Sequence, residues 1–174
     1  MKRIFSILLL GFVLSGFDIS DRIDKLISKE IRSVFEVDSF SEEGVAIPNE
    51  NNANLPLSIH DENFFKIYSD QDLLGYYYFG KAFGKADYFD FIVIFDRDLI
   101  VSKIKVLVYR EGHGGEIASK RWLKQFNGRT ADKHLTYQKD IAAISGATIS
   151  AKSMTREVNK LLQSIRILNN KNQL

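Results

Sequence analysis

The stretch Ile144-Ser145-Gly146-Ala147-Thr148-Ile149-Ser150 lies between a short apolar segment and a long amphipathic one. Gly146 can adopt a positive φ, and Ala147 adds little bulk beside it. Ser145, Thr148 and Ser150 place three hydroxyls where the first amides of a following helix have no partners. Unpaired amides at the positive end of a helix dipole favour an anion, most commonly a phosphate. The stretch is therefore typical of a loop that holds a phosphate-bearing ligand.

A simpler interpretation of the same stretch stays open. Ser150 can cap a helix predicted over Ala151–Leu168, with Gly146 making the turn before it. Apolar residues recur in that helix at helical spacing, which predicts a core-facing stripe of Met154, Val158, Leu161, Leu162, Ile165 and Leu168. Lys152, in the first turn, is placed either to meet the phosphate or to be an ordinary exposed lysine. Residues 169–174 are expected to fray.

Upstream of this stretch, four segments rich in β-branched and aromatic residues are separated by turn residues. They are Phe64–Tyr68, Leu73–Phe83, Tyr88–Phe95 and Ile100–Tyr109. Short links predict an antiparallel meander, and the nearly unbroken apolar run 89–95 predicts a central strand covered on both faces. An amphipathic pattern over residues 18–35 adds an N-terminal helix. The fold class is thus α+β, a curved, mainly antiparallel sheet packed with N-terminal and C-terminal helices.

The remaining segments are less regular. Residues 38–62 are polar and predict a long loop with one short strand at Gly44–Ile47. A short helix is expected over Ala118–Phe126, with Trp122 as its packing anchor. The aromatic side chains of the second strand belong either to the core or to a platform for a bound ring: Tyr76, Tyr77, Tyr78, Phe79 and Phe83.

Composition limits the possible functions. The chain has 174 residues, of which 45% are hydrophobic, enough for one domain, which we place at residues 18–168. Lys and Arg number 24 against 22 Asp and Glu and are scattered along the chain, so no long-range field favours nucleic acid. The absence of cysteine excludes disulfides, thiolate metal sites, iron–sulfur clusters and a cysteinyl flavin. No metal site is predicted.

The first 17 residues have the pattern of an export signal. Met1-Lys2-Arg3 is followed by the apolar run Ile4–Phe17, which is too short to span a bilayer. Leu14-Ser15-Gly16-Phe17 is a poor cleavage site, so a signal peptide and a short N-terminal anchor both remain possible. Either places the domain in the periplasm or at the outer face of the cytoplasmic membrane.

A second glycine-rich segment follows the last predicted strand: Tyr109-Arg110-Glu111-Gly112-His113-Gly114-Gly115-Glu116-Ile117. It is either a loose strand-to-helix turn or a second binding loop.

Ser-Gly-Ala-Thr-x-Ser, followed by a helix and preceded by this glycine-rich segment, resembles the FMN-binding domain family over residues 73–168. The family includes domains of the sodium-translocating NADH:quinone reductase C subunit and the Rnf complex G subunit. In it, the Thr after Gly-Ala carries FMN through a phosphoester bond, transferred from FAD by a dedicated flavin transferase. The resemblance implies that Thr148 is the acceptor and that the residues around the phosphate are Ser145, Gly146, Ala147, Ile149 and Ser150, with Lys152 as a further candidate.

The resemblance also implies which residues lie against the flavin ring. The family has a His-x-Glu-Thr-Pro-Gly-x-Gly-like segment here, which Glu111 and Gly114 match. The chain departs from it at Tyr109, His113 and Glu116, which replace His, Pro and Gly. The implied ring-side residues are Glu111, His113, Gly114, Gly115 and Glu116, and those with charged or titratable side chains would tune the potential. The family's Asp three residues before the Ser is Ala142 here, with Asp140 two residues further upstream.

The resemblance implies an exported flavoprotein that relays electrons between membrane or extracytoplasmic redox partners, a carrier more than a stand-alone enzyme. Two alternatives come from other functional classes. One is a non-redox module that binds another phosphate-bearing ligand or none, and the other is a small flavin reductase.

Overall fold

The computed structural model describes residues 21–174. The predicted signal peptide or anchor at residues 1–17 lies outside the described residues. Helix α1 occupies 21–35 of the described chain. The elements that follow are β1 (Ser41–Gly44), α2 (Asn49–Asn52), β2 (Phe64–Ser69), β3 (Asp72–Phe83), β4 (Tyr88–Asp96), β5 (Val101–Val108), α3 (Lys120–Leu123) and α4 (Thr148–Asn170). Helix α3 lies between two 3-10 turns, Gly115–Ala118 and Lys124–Phe126.

The five strands form one antiparallel sheet in the order β1-β2-β3-β4-β5, so the predicted meander is confirmed. Strands β2 to β5 pair in chain order because short turns join them, whereas β1 pairs with β2 across the longer segment 45–63. The register shifts between Asp90 and Phe91 and between Ile94 and Phe95, where β4 meets β5. The sheet is open, and its two edges are β1 and β5.

Helices cover both faces of the sheet. Helix α1 packs its apolar side on one face, where Ile27 and Ile31 meet Tyr77, Ile92 and Ile94. Helix α4 and the segment around α3 cover the other face, where the predicted stripe of α4 is almost completely buried. Strand β4 is buried from Phe89 to Phe95 because side chains on both of its faces meet a helix layer. The predicted α+β class is confirmed.

The aromatic residues of β3 differ in burial between the middle of the strand and its end. Tyr76, Tyr77 and Tyr78 are buried, which confirms the core interpretation for them. Phe83, at the end of the strand, is 42% exposed and packs edge to face against Tyr88 with ring centroids 4.9 Å apart.

The loop 38–62 differs from its prediction. Its strand covers Ser41–Gly44, three residues earlier than expected, because Val45 and Ile47 leave the sheet and enter the core. An asparagine side chain orders part of this loop, which the polar composition did not predict. Asn52, the last residue of the short helix α2, accepts a hydrogen bond from the Ile59 amide at 2.9 Å.

The last helix is longer than expected at both ends. It begins at Thr148 and ends at Asn170, two residues beyond Leu168. The chain end then folds back, with the Gln173 amide donating to the Leu168 carbonyl at 3.0 Å and Asn51 donating to the Gln173 side chain at 3.2 Å. Among residues 21–174, no helix combines the length and apolarity needed to cross a bilayer.

Candidate functional site

The two loops singled out in the sequence meet in one surface cleft, which we call the loop cleft. It has a volume of about 380 Å³, within the range of small-ligand sites. Three chain segments form it: the turn between β3 and β4, the glycine-rich loop after β5, and the start of α4. Its lining residues are Lys85, Tyr109, Glu111, His113, Gly114 and Gly146–Ser150.

The N-terminus of α4 opens into the cleft. Thr148 is the first helical residue and is exposed, and Ala147 takes the N-cap position. No side chain caps this end. Within residues 21–174, the amides of Thr148, Ile149 and Ser150 donate to no protein acceptor. A 23-residue helix thus presents its free amides and its positive dipole end beside the Thr148 hydroxyl.

The interpretation of Ser150 as the helix cap is wrong. Ser150 is the third residue of α4 and is only 3% exposed. Its hydroxyl lies 3.3 Å from the Tyr109 hydroxyl, and it makes no capping hydrogen bond to the helix amides. The helix begins two residues before Ser150 because Ala147 and Ala151 are buried and the Ala151 amide donates to the Ala147 carbonyl at 2.9 Å.

Two glycines let the loops approach each other. Gly114 has φ of 86°, and a Cβ added there would lie 2.5 Å from the Tyr109 hydroxyl and 3.5 Å from the Gly146 carbonyl oxygen. Gly146 has φ of 82°, and its added Cβ would lie 3.1 Å from the Glu116 carboxylate. An L side chain at either position would combine backbone strain with a close contact.

Tyr109 connects the glycine-rich loop to the helix. Its hydroxyl donates to the His113 carbonyl at 2.8 Å and lies beside Ser150. Its ring packs on Phe89 with centroids 5.8 Å apart. The residue at which the sequence departs from the family's His therefore holds together the two sides of the cleft.

Glu111 fixes the third side of the cleft. Its Oε1 accepts hydrogen bonds from the backbone amides of Lys85 at 2.7 Å, Ala86 at 3.1 Å and Asp87 at 3.2 Å. These amide hydrogen bonds, that from Ala86 foremost, lower the pKa of Glu111 below its ordinary value. The carboxylate thereby holds the β3–β4 turn beside the cleft, where Lys85 is a lining residue.

The structure brings eight of the twelve predicted site residues into the cleft: Glu111, His113, Gly114, Gly146, Ala147, Thr148, Ile149 and Ser150. Four do not line it. Ser145 and Gly115 lie beside it in the chain, and the Glu116 carboxylate packs against Gly146. Lys152, the candidate phosphate contact, lies over the Tyr137 ring with its Nζ 5.7 Å from the ring centroid. It lies two residues beyond Ser150 in α4 and does not line the cleft.

The segment before the motif is held by other contacts. Trp122 donates its indole N–H to the Ala142 carbonyl at 2.7 Å, and Gln125 accepts from the Ala142 amide at 2.7 Å. Asp140 accepts from Lys133 at 2.6 Å and from the Thr136 amide at 2.9 Å, which lowers its pKa to about 2. Both carboxylate oxygens of Asp140 are thus engaged in their own turn.

Sequence reasoning missed Lys85 as a cleft residue. Lys85 lies 60 residues before Ser145, the first residue of the phosphate-loop motif Ser145–Ser150, in a turn with no motif of its own. The only signal was the acidic Glu111, whose carboxylate needs donors, and the turn supplies them. Within residues 21–174, no group of three or more His, Asp or Glu could hold a metal ion.

Comparison with known proteins identifies a matching family model and a similar fold. The sequence model of the FMN-binding domain matches residues 84–163, which include every residue of the loop cleft. Among solved structures, NqrC of Shewanella oneidensis has a similar fold, with a TM-score of 0.55 and 18% sequence identity. The similarity covers 81% of this chain and 87% of that one. No curated protein matches the sequence significantly. The predicted resemblance is confirmed.

Proposed function

We propose that this protein is an exported flavoprotein, because residues 84–163 match the sequence model of the FMN-binding domain. In this proposal Thr148 carries FMN through a phosphoester bond, and the protein relays electrons between membrane or extracytoplasmic redox partners. The observation that supports it best is the position of Thr148: an exposed hydroxyl at the first residue of α4, beside free helix amides and inside a cleft.

The residues of the cleft fit a phosphate-bearing ligand. The free amides of Thr148, Ile149 and Ser150 are donors for phosphate oxygens, and Lys85, a cationic residue, lines the same cleft. Gly114 and Gly146, both at positive φ, carry no Cβ, so the two loops can approach each other and form the cleft.

The covalent step uses Thr148 only as an acceptor. Its Oγ1 attacks the FMN-side phosphorus of FAD, one P–O bond forms, and AMP leaves as the P–O bond to it breaks. The hydroxyl proton is lost to solvent or to the transferase. When bound, FMN supplies transfer of one or two electrons. The phosphoester tether lies far from the ring, so ring potential depends on nearby protein groups.

Glu111 and His113, the titratable residues that the resemblance places near the ring, both line the cleft. The Glu111 carboxylate is held negative by its three amide hydrogen bonds, and negative charge near a flavin disfavours the reduced anion. Tyr109 keeps the loop that carries His113 against α4. Glu111 and Tyr109 thus position the glycine-rich loop.

The proposed location rests on the sequence pattern of residues 1–17. Cell fractionation and N-terminal sequencing of the mature protein test it. Recovery of the full-length chain in the cytoplasm, with the initiating Met1 intact, would contradict export.

Intact mass spectrometry tests the tether. The protein is expressed in an export-competent host together with a flavin transferase that is active on a known substrate. We expect a mass gain equal to FMN less one water, which is lost in Thr148→Val, a variant that keeps the shape of the side chain but removes the hydroxyl.

The matched control is Thr136→Val, at an exposed threonine outside the cleft. It should carry the flavin as the wild type does. Absence of the mass gain from the wild type would end the covalent proposal. Flavin that binds but is released on denaturation would leave a non-covalent flavoprotein, and rapid NAD(P)H oxidation by the isolated protein would favour the reductase.

A further inference from the structure

A second concave surface, which we call the lysine groove, lies away from the loop cleft. It is a cavity of about 390 Å³ between α1, β5 and the segment that contains α3. Its charged lining residues are Lys29, Glu30, Lys103, Lys105, Lys120 and Lys124. None of them lines the loop cleft.

The groove concentrates positive charge that the sequence shows as scattered. Five lysines and one glutamate give it a formal charge of +4, whereas the whole chain carries +2. The rest of the chain is therefore net negative by two charges. Like charges gathered around one concavity repel each other and create a local positive potential, which an anionic partner relieves.

Only one of the five lysines is neutralised within the described chain. Lys103 pairs with Glu30 at 2.7 Å. Among residues 21–174, no carboxylate oxygen lies within 4.0 Å of the ammonium groups of Lys29, Lys105, Lys120 or Lys124. Lys29, Lys120 and Lys124 are exposed at the rim, so their ammonium groups are accessible to a partner.

The floor of the groove suits a polypeptide. Ile104 and Leu123 contribute buried apolar surface, and Ser33, Ser102 and Asn127 contribute hydroxyl and amide groups. Such a mixture can accept a chain segment with its backbone carbonyls and acidic side chains. It also lies along β5, which is an edge of the sheet.

A membrane surface fits less well. Segments that bind anionic lipid combine lysines with exposed apolar side chains that enter the bilayer. The large hydrophobic side chains exposed in the described chain are Phe83, Tyr88 and Ile149, and none of them lines the groove. The lysines also surround a concavity, which a flat bilayer cannot fill.

We propose that the lysine groove docks an acidic segment of a partner protein, with carboxylates on the partner meeting the rim ammonium groups. The proposal does not depend on the flavin tether, because the two surfaces share no lining residue. The groove is close enough for the partner to lie near the flavin site: Lys120 is six residues from Gly114, a distance of at most about 22 Å for an extended chain.

Binding of a fluorescein-labelled octaglutamate peptide, measured by anisotropy at low salt with the full-length purified protein, tests the proposal. The groove variant is Lys29→Gln/Lys120→Gln/Lys124→Gln. The matched control is Lys81→Gln/Lys139→Gln/Lys171→Gln, which changes three exposed lysines outside the groove and gives the same net charge. We expect about 10-fold weaker binding for the groove variant and less than about twofold weaker binding for the control.

Equal weakening in both variants would show a net-charge effect and overturn the proposal. Parallel titrations with inorganic phosphate and with phosphatidylglycerol vesicles identify the alternatives. If the groove variant loses phosphate or vesicle binding while octaglutamate binding stays unchanged, the surface recognises a different anion and the proposal fails. Circular dichroism of both variants checks the fold. If the groove variant keeps the flavin mass gain, its loss of octaglutamate binding is not caused by a loss of the covalent flavin.

Discussion

The loop cleft and the lysine groove have nearly the same volume, about 380 Å³ and about 390 Å³, but they are built in opposite ways. The cleft is made of backbone: free amides, two glycines at positive φ and few charges. The groove is made of long side chains around an apolar floor. The difference suggests that the cleft is preorganised for one ligand and that the groove accepts a charged surface with less exact geometry.

This difference also explains why the sequence predicted the loop cleft but not the lysine groove. Half of the cleft comes from five consecutive residues, Gly146–Ser150, so a motif marks it. The groove takes its lysines from three segments of the chain. The first two of these segments are far apart in the sequence, at Lys29 and at Lys103. No local pattern connects lysines that far apart.

Among variants that should affect the loop cleft but not the lysine groove, we expect the largest effect from Gly114→Ala. A backbone-built cleft cannot absorb a Cβ 2.5 Å from the Tyr109 hydroxyl at a positive φ, so we expect a loss of about 1–3 kcal/mol in the free energy of unfolding. Flavin loading should fall as well, while octaglutamate binding should not change. Urea unfolding measures the free energy of unfolding, and intact mass spectrometry measures flavin loading.

Gly112→Ala is the control for that variant. Gly112 has no positive φ, and an added Cβ there would meet nothing within 4 Å. We expect a change within about 0.5 kcal/mol. If both alanines cost the same, the cleft is not the rigid backbone structure described above.

Tyr109→Phe should have a smaller effect. It removes the hydroxyl that joins His113 to Ser150 and keeps the ring on Phe89, so we expect about 1 kcal/mol lower stability. Thermal unfolding measures this. Tyr137→Phe is the control, because the Tyr137 hydroxyl is buried without a partner in the described chain, and its removal should cost nothing. A neutral Tyr109→Phe would mean that the two loops hold together without this contact.

Acid should weaken the cleft through Glu111. Its pKa is lowered in the folded state, so its carboxylate adds stability above the ordinary pKa of 4.5, and that contribution is lost as the pH falls through the lower folded value. Glu111→Gln should therefore lose less stability than the wild type between about pH 6 and about pH 3. Urea midpoints across this range measure the difference. Parallel pH curves for the two proteins would contradict the role of Glu111 in holding the turn.

The smallest expected effect is the coupling between the two surfaces. Because they share no lining residue, combining Thr148→Val with the groove variant should give additive changes within about 0.5 kcal/mol in octaglutamate binding. The four proteins of this double-mutant cycle are compared by anisotropy. A larger coupling would show that the segment between Gly114 and Lys120 transmits a change from one surface to the other.

Much of the fold could be predicted because its elements are local. Strands β2 to β5 differ from their predicted bounds by at most one residue at each end, since period-two patterns and turn residues are read from neighbours. The predicted bounds are wrong where contacts of individual side chains determine the backbone conformation. Asn52 orders the loop after α2, and the buried Ala147 starts α4 earlier than the Ser150 rule predicts.

The sequence by itself determined the meander, the two covering helices and the phosphate-loop motif, because each depends on residues close together in the chain. Only the tertiary structure decided that Lys85, not Lys152, reaches the cleft, that Tyr109 joins its two walls, and that five scattered lysines share one groove. The physical reason is that chain spacing sets the contacts within an element. Contacts between elements depend on how the sheet and its helices pack, and here that packing brings distant residues together.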